Sequence, residues 1–98
     1  MARDRTKLTE AEVQQWLERH PGWALERGMI RRTFTFPDFR GSMAFVNRVA
    51  DAAEASDHHP DIDIRYAKVT LALVTHDAGG LTRRDTDLAE KADGLAAT

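Results

Sequence analysis

Hydrophobic residues recur at two different spacings along the chain, and the spacing changes from one segment to the next. Apolar side chains lie three or four residues apart in segments 13–17, 39–53 and 88–95, which is typical of helices with one buried face. Segments 23–27, 30–36, 62–66 and 69–73 are predicted strands, and the last two alternate apolar with polar residues. The predicted order is helix, strand, strand, helix, strand, strand, helix.

Capping motifs mark the start of two of these helices. Thr9 and Glu12 form a capping box, in which each side chain binds a backbone N–H that the first helical turn leaves unpaired. This helix should run to about His20, where Pro and Gly follow. Thr82 and Asp85 have the same spacing and predict the start of the third helix.

Short connections and strands with one apolar face favour an α+β fold. We expect two layers, with a four-stranded antiparallel sheet covered by three helices on one face and strands that are half buried. A chain of 98 residues is too short for two independent cores, so residues 1–98 are predicted to form a single domain.

Composition and charge exclude several classes of function. The net charge is -2, and the 14 basic and 16 acidic residues are dispersed, without the basic stripe that binding to nucleic acid requires. The absence of cysteine excludes disulfides, thiolate catalysis and cysteine-ligated metals. The charged N-terminus has no apolar run behind it, which argues against a signal peptide or membrane anchor and favours a soluble, cytoplasmic protein.

Three of the four histidines lie at the ends of predicted elements. His58 and His59 precede the third strand and His76 follows the fourth, so an antiparallel hairpin would bring them together. Histidine titrates near neutral pH and two histidines can divide the roles of acid and base. Zinc binding is the competing interpretation, but adjacent histidines tend to point apart and no helical ligand pair accompanies them.

Four other residues are candidates beside the histidines. Asp85 is explained by helix capping, and an acid there could also orient an imidazole or bind a polar ligand. Glu54 and Asp57 have the ordinary interpretation of solvated charges at a helix end. Trp23 belongs either to the core or to a flat surface for a heteroaromatic ligand.

An ordered series of motifs spans about residues 8–92, nearly the whole chain. It consists of Phe34-x-Phe36-x-x-Phe39, Phe45-x-x-x-Val49-Ala50, Glu54-x-x-Asp57-His58-His59-Pro60-Asp61, Val69, and Thr75-His76-x-x-Gly79-Gly80-Leu81-Thr82-x-x-Asp85-x-x-Leu88-Ala89. This series resembles the pterin-4a-carbinolamine dehydratase family. The His-His-Pro element, the later Thr-His and the Gly-Leu-Thr-x-x-Asp motif carry the resemblance together.

The resemblance implies dehydration of 4a-hydroxytetrahydropterin to quinonoid dihydropterin, with no metal and no cofactor. It implies a homodimer or homotetramer and a functional link to an aromatic amino acid hydroxylase, whose oxidised pterin would be recycled. His58 and His76 would be the acid and base, with Asp85 supporting them. The substrate would be bound by His59, Pro60, Glu54, Asp57 and Trp23.

Two other functions stay open at this level. One is a dimeric binding or coactivator module that has the same fold without catalysis, which a specific protein partner and an absence of turnover would favour. The other is a metallohydrolase or metal carrier, motivated only by the three histidines.

The chain also departs at two positions from the pattern associated with animal members of the family. Ala55 stands where a lysine often follows the glutamate, and Ile62 stands where an aromatic residue is often found.

Overall fold

The computed structural model describes residues 5–97 and has the predicted element order. Its elements are α1 (Glu10–Arg19), β1 (Ala24–Glu26), β2 (Met29–Thr35), α2 (Phe39–Ser56), β3 (Asp61–Arg65), β4 (Lys68–Leu73), a short 3-10 helix (His76–Ala78) and α3 (Arg83–Ala96). The four strands form one antiparallel sheet in the order β1-β2-β4-β3. The predicted α+β class and strand pairing are therefore confirmed.

The core lies between one face of the sheet and the three helices. Alternate residues of the two central strands face it, so that Ile30 pairs with Leu73 and Phe34 with Val69. On the opposite face the Thr33 and Thr70 hydroxyls meet at 2.8 Å. The buried hydrophobic cluster comprises Val13, Trp16, Trp23, Ile30, Phe34, Phe45, Val49, Val69, Leu71, Leu73, Leu81, Leu88, Ala89 and Ala92.

Both predicted capping boxes are present. Glu12 N–H donates to the Thr9 hydroxyl at 3.1 Å, and Thr9 N–H donates to the Glu12 carboxylate at 2.8 Å. The second box begins α3, where Thr82 N–H donates to the Asp85 carboxylate at 2.9 Å. Satisfied donors of this kind stabilise a helix start by about 1 kcal/mol each, which explains why these two boundaries are readable in the sequence.

The expectation of a half-buried third strand was wrong. All five residues of β3 are exposed, with Ile62 and Ile64 at 37% and 36% of their full accessibility. Both isoleucines share a sheet face with the core, because they pair with the buried Leu71 and Val69. However, β3 is an edge strand that pairs only with β4, so helix packing does not bury it.

No helix among residues 5–97 is long and apolar enough to span a membrane.

The tight turn between β1 and β2 has positive φ at both Arg27 (54°) and Gly28 (79°). Two-residue hairpin turns with this geometry favour Asn-Gly, so Arg27 is a strained choice there.

Candidate active site

The predicted histidine cluster lines one cavity at the end of the hairpin β3–β4. The cavity has a volume of about 370 Å³ and is lined by Asp57, His58, His59, Val74, Thr75, His76, Asp77 and Arg84. The three histidines that the sequence singled out therefore converge on one concave surface. Mixed carboxylate, hydroxyl and imidazole groups suit it to a small polar ligand.

Asp57 directs the first two histidines into this cavity. It ends α2 in the left-handed conformation (φ 50°, ψ 44°), which Asp tolerates better than most residues. His58 N–H then donates back to the Ala53 carbonyl at 3.1 Å, and Asp57 N–H donates to the Glu54 carbonyl at 3.3 Å. This is the pattern of a Schellman helix end, and it turns the chain sharply just before the histidines.

His58 is held inside the protein by Asp85. The His58 side chain is 8% exposed, and its Nε2 lies 2.6 Å from Asp85 Oδ1. Asp85 is fully buried and its other oxygen accepts hydrogen bonds from Thr75 Oγ1 at 2.8 Å and Thr82 N–H at 2.9 Å. As a carboxylate Asp85 can only accept, so it requires the His58 hydrogen on Nε2. The capping residue thus also fixes the orientation of an imidazole.

His59 is in a different environment from its neighbour. Its Nε2 lies 2.6 Å from Glu54 Oε2, and the two side chains are 56% and 78% exposed. Glu54 lies on the last turn of α2, so the helix end supplies the carboxylate that holds the ring. His59 is therefore oriented by a partner while its ring stays accessible.

His76 lines the cavity from the segment after β4, beside the start of β3 that His58 and His59 precede. It begins the 3-10 helix after β4, and an isolated bridge between Thr75 and Gly80 closes the loop that carries it. The His76 side chain is exposed. The following Asp77 pairs with Arg5 at 3.1 Å, which ties the loop to the N-terminal segment.

The remaining sequence candidates lie in different places. Pro60 is half buried between His59 and β3 and does not line the cavity. Trp23 is 3% exposed in the core, outside the cavity, and its Nε1 lies 3.1 Å from both oxygens of Asp93. Its core interpretation is the one that the packing supports.

Sequence reasoning did not identify Arg84 or Asp77 as cavity residues. Each directly adjoins a residue that was identified, Asp85 or His76, and this adjacency was the only available signal. Within residues 5–97, no three His, Cys, Asp or Glu side chains are grouped so that they could hold a metal ion.

Comparison with known proteins gives a consistent result over nearly the full chain. The sequence profile of the family described as "Pterin 4 alpha carbinolamine dehydratase" matches residues 6–95. A protein of Acidobacterium capsulatum that carries the name pterin-4-alpha-carbinolamine dehydratase is 54% identical over 89 residues, which is 91% of this chain and 97% of that one. A protein of the same name from Roseiflexus sp. is 53% identical over 90 residues, with 92% and 97% covered.

Solved structures show the same fold. The crystal structure of a transcriptional coactivator/pterin dehydratase from Brucella melitensis has a TM-score of 0.89 and 34% identity, covering 93% of this chain and 99% of that one. A pterin dehydratase-like protein identified as a RuBisCO assembly factor in the alpha-carboxysome has a TM-score of 0.64 and 22% identity, covering 78% and 88%. At that identity the second likeness concerns the fold alone.

Proposed function

The chain belongs to the pterin 4 alpha carbinolamine dehydratase family, and we propose that it is a hydro-lyase that converts 4a-hydroxytetrahydropterin to quinonoid dihydropterin and water. The observation that carries this proposal is the single cavity lined by His58, His59 and His76. Its volume of about 370 Å³ is in the range of sites for small molecules.

The reaction needs two proton transfers on neighbouring atoms. The bond between C4a and the hydroxyl oxygen breaks, and an acid protonates the departing oxygen so that water leaves. The N5 lone pair forms the new N5–C4a double bond, and a base removes the N5 proton. The acid and base exchange protonation states in one turnover, and contact with solvent restores them.

Exposure and hydrogen bonding favour His59 and His76 as this acid–base pair. Both rings are accessible and line the cavity, with His59 just before β3 and His76 just after β4. The sequence interpretation instead paired His58 with His76. Since His58 and its partner Asp85 are both buried, we assign them to positioning. We assign proton transfer to the exposed His59, with Glu54 as its partner.

Replacement of single histidines tests both the activity and this division of roles. Dehydration of freshly generated 4a-hydroxytetrahydropterin would be followed by absorbance with the parent protein and with His58→Gln, His59→Gln and His76→Gln. General acid–base catalysis contributes about 10²- to 10⁴-fold, so His59→Gln and His76→Gln should lose at least about 100-fold in kcat.

The fourth histidine provides the matched control. His20 stacks on Trp16 with ring centroids 4.2 Å apart and does not line the cavity, so His20→Gln should keep the parent turnover. No acceleration by the parent protein would overturn the proposed function. A larger loss in His58→Gln than in His59→Gln would instead restore the pairing of His58 with His76.

We further propose that the enzyme recycles the oxidised pterin of an aromatic amino acid hydroxylase in the cytoplasm. The product of dehydration is an oxidised dihydropterin, which a reductase must reduce before a hydroxylase uses it again. Coupled assays with a hydroxylase test this role, because the dehydratase should then sustain pterin turnover. An unchanged hydroxylation rate would contradict it.

We also propose that the protein forms a homodimer or homotetramer through β3. This strand presents Ile62 and Ile64 to solvent and, as a sheet edge, offers backbone groups for pairing with another strand. In an antiparallel pair of copies centred on Asp63, each Ile62 would face Ile64 of the other chain and Asp61 would face Arg65. Sedimentation should show dimers or tetramers that Ile64→Lys weakens, and a parent protein that is monomeric at all concentrations would contradict the proposal.

The similar protein of Brucella melitensis is described as a transcriptional coactivator as well as a pterin dehydratase, which keeps a binding-module function as the alternative for this chain. A parent protein that captures a specific protein partner without accelerating dehydration would favour that alternative.

A further inference from the structure

Arg84 is a cavity residue that binds the backbone of another element. It lies in the first turn of α3, is half buried, and its Nη2 donates a 2.7 Å hydrogen bond to the carbonyl oxygen of Asp57. A groove between α2 and α3 adjoins the histidine cavity, and Arg84 and His58 line both. The side chain therefore reaches from α3 to the end of α2, where the chain turns toward the histidines.

The Asp57 carbonyl belongs to the peptide group that leads into His58. Asp57 has left-handed φ and ψ, a conformation that is costly for a residue other than glycine and persists when the surroundings hold it. The hydrogen bond from Arg84 fixes the plane of this peptide, and the bond from His58 N–H to the Ala53 carbonyl holds its other side.

Consecutive residues of α3 thus hold the same short segment at two places. Arg84 binds its backbone at Asp57, and Asp85 binds its first imidazole at His58. His59 follows directly, and the contact that orients its ring, with Glu54, is exposed to solvent. The direction of His59 consequently depends on the backbone that Arg84 restrains as well as on Glu54.

We propose that Arg84 is a positioning residue that fixes the Asp57–His58 peptide and thereby aims His59 into the cavity. This inference rests on the proposed dehydratase function. Its physical reason is that reacting groups must be held in near-attack geometry, and a displacement of about 1 Å can cost about 100-fold in rate.

The chain offers a matched pair of arginines for the test. Arg83 is the neighbouring residue, is exposed and does not line the histidine cavity. Arg84→Gln, Arg84→Lys and Arg83→Gln would be compared with the parent for kcat, KM, thermal midpoint and amide hydrogen exchange at His58 and His59. Exchange reports the local opening of the segment directly.

We expect Arg84→Gln to lower kcat by about 10-fold or more with KM within about twofold, and to accelerate amide exchange at His58. Arg84→Lys should recover part of kcat, because an ammonium group can donate to the same carbonyl without the planar geometry of a guanidinium. Arg83→Gln should match the parent in every measurement. If Arg84→Gln does not fold, Arg84→Lys carries the comparison.

Three results would overturn the inference. One is an Arg84→Gln variant with parent kcat, and the second is an increase in KM at constant kcat, which would mean that Arg84 binds substrate instead. The third is an equal loss in Arg83→Gln, which would indicate a general effect of charge. If the parent protein shows no dehydration, the proposed function fails, and amide exchange decides the structural role of Arg84 independently.

Discussion

Replacing Asp85 tests the buried part of the active site most strongly, because this one carboxylate is hydrogen-bonded to three parts of the chain. Its oxygens receive hydrogen bonds from His58, Thr75 and the backbone of Thr82, so that it connects the end of α2, the end of β4 and the start of α3. Asp85→Asn preserves the shape and one carbonyl oxygen. That oxygen can still accept from Thr75 and Thr82, whereas the amide group then faces His58.

The size of the effect depends on which of these hydrogen bonds each substitution removes. A hydrogen bond to a charged group contributes about 1.5–3 kcal/mol, so Asp85→Asn should lower the free energy of unfolding by about 2 kcal/mol through its effect on His58. For a domain of this size that corresponds to a decrease of about 10 °C in the melting temperature. Asp85→Ala removes the acceptor of all three hydrogen bonds and should cost about 3–5 kcal/mol, a large part of the stability of a small domain.

Urea unfolding followed by tryptophan fluorescence measures the stability of each variant, and the dehydration assay measures its kcat. Asp87→Asn is the matched control, since Asp87 lies on the same helix, is exposed and does not line the histidine cavity. If the free energy of unfolding of Asp85→Asn stays within about 0.5 kcal/mol of the parent, the range of ordinary surface substitutions, the Asp85–His58 hydrogen bond does not stabilise the fold as assigned. Asp85→Asn should also lower kcat, because it disturbs the orientation of His58.

Four further substitutions test the fold and one residue that the sequence suggested for the site. Arg27→Asn should raise the free energy of unfolding by about 0.5–1 kcal/mol, because Asn adopts the positive φ of 54° more easily; an unchanged urea midpoint would count against this. Phe45→Ala, at a fully buried position, should cost about 3–5 kcal/mol, whereas Phe39→Ala, at 49% exposure, should cost far less; equal losses in thermal unfolding would contradict the assigned core. Trp23→Phe removes the hydrogen bond to Asp93 and should reduce stability by about 1–2 kcal/mol with KM unchanged, whereas a higher KM would return Trp23 to the substrate site.

Elements and helix boundaries could be predicted because their causes are local. The apolar spacing of the helices, the alternation of apolar and polar residues in the strands, and the capping boxes at Thr9 and Thr82 depend on residues a few positions apart. The convergence of the histidines was predictable for a related reason. A short antiparallel hairpin brings the beginning of its first strand beside the end of its second, whatever else the chain does.

The burial of β3 could not be predicted from its own residues. The segment from Asp61 to Arg65 alternates as a half-buried strand does, yet it occupies a sheet edge that the helices do not cover. Strand order decides this, and strand order depends on how β2 and β4 pair across a separation of about 40 residues. No periodicity within the strand itself records that pairing.

The amino-acid sequence was sufficient to predict the order of the elements, the ends of the helices and the three histidines that meet in one cavity. Packing in three dimensions was needed to distinguish adjacent His58 and His59, the first buried against Asp85 and the second exposed beside Glu54. The same packing brings Arg84 to the backbone of Asp57. The order and ends of the elements come from interactions between residues close together in the sequence. The burial of a side chain and the identity of its hydrogen-bond partner depend on which distant segments pack together.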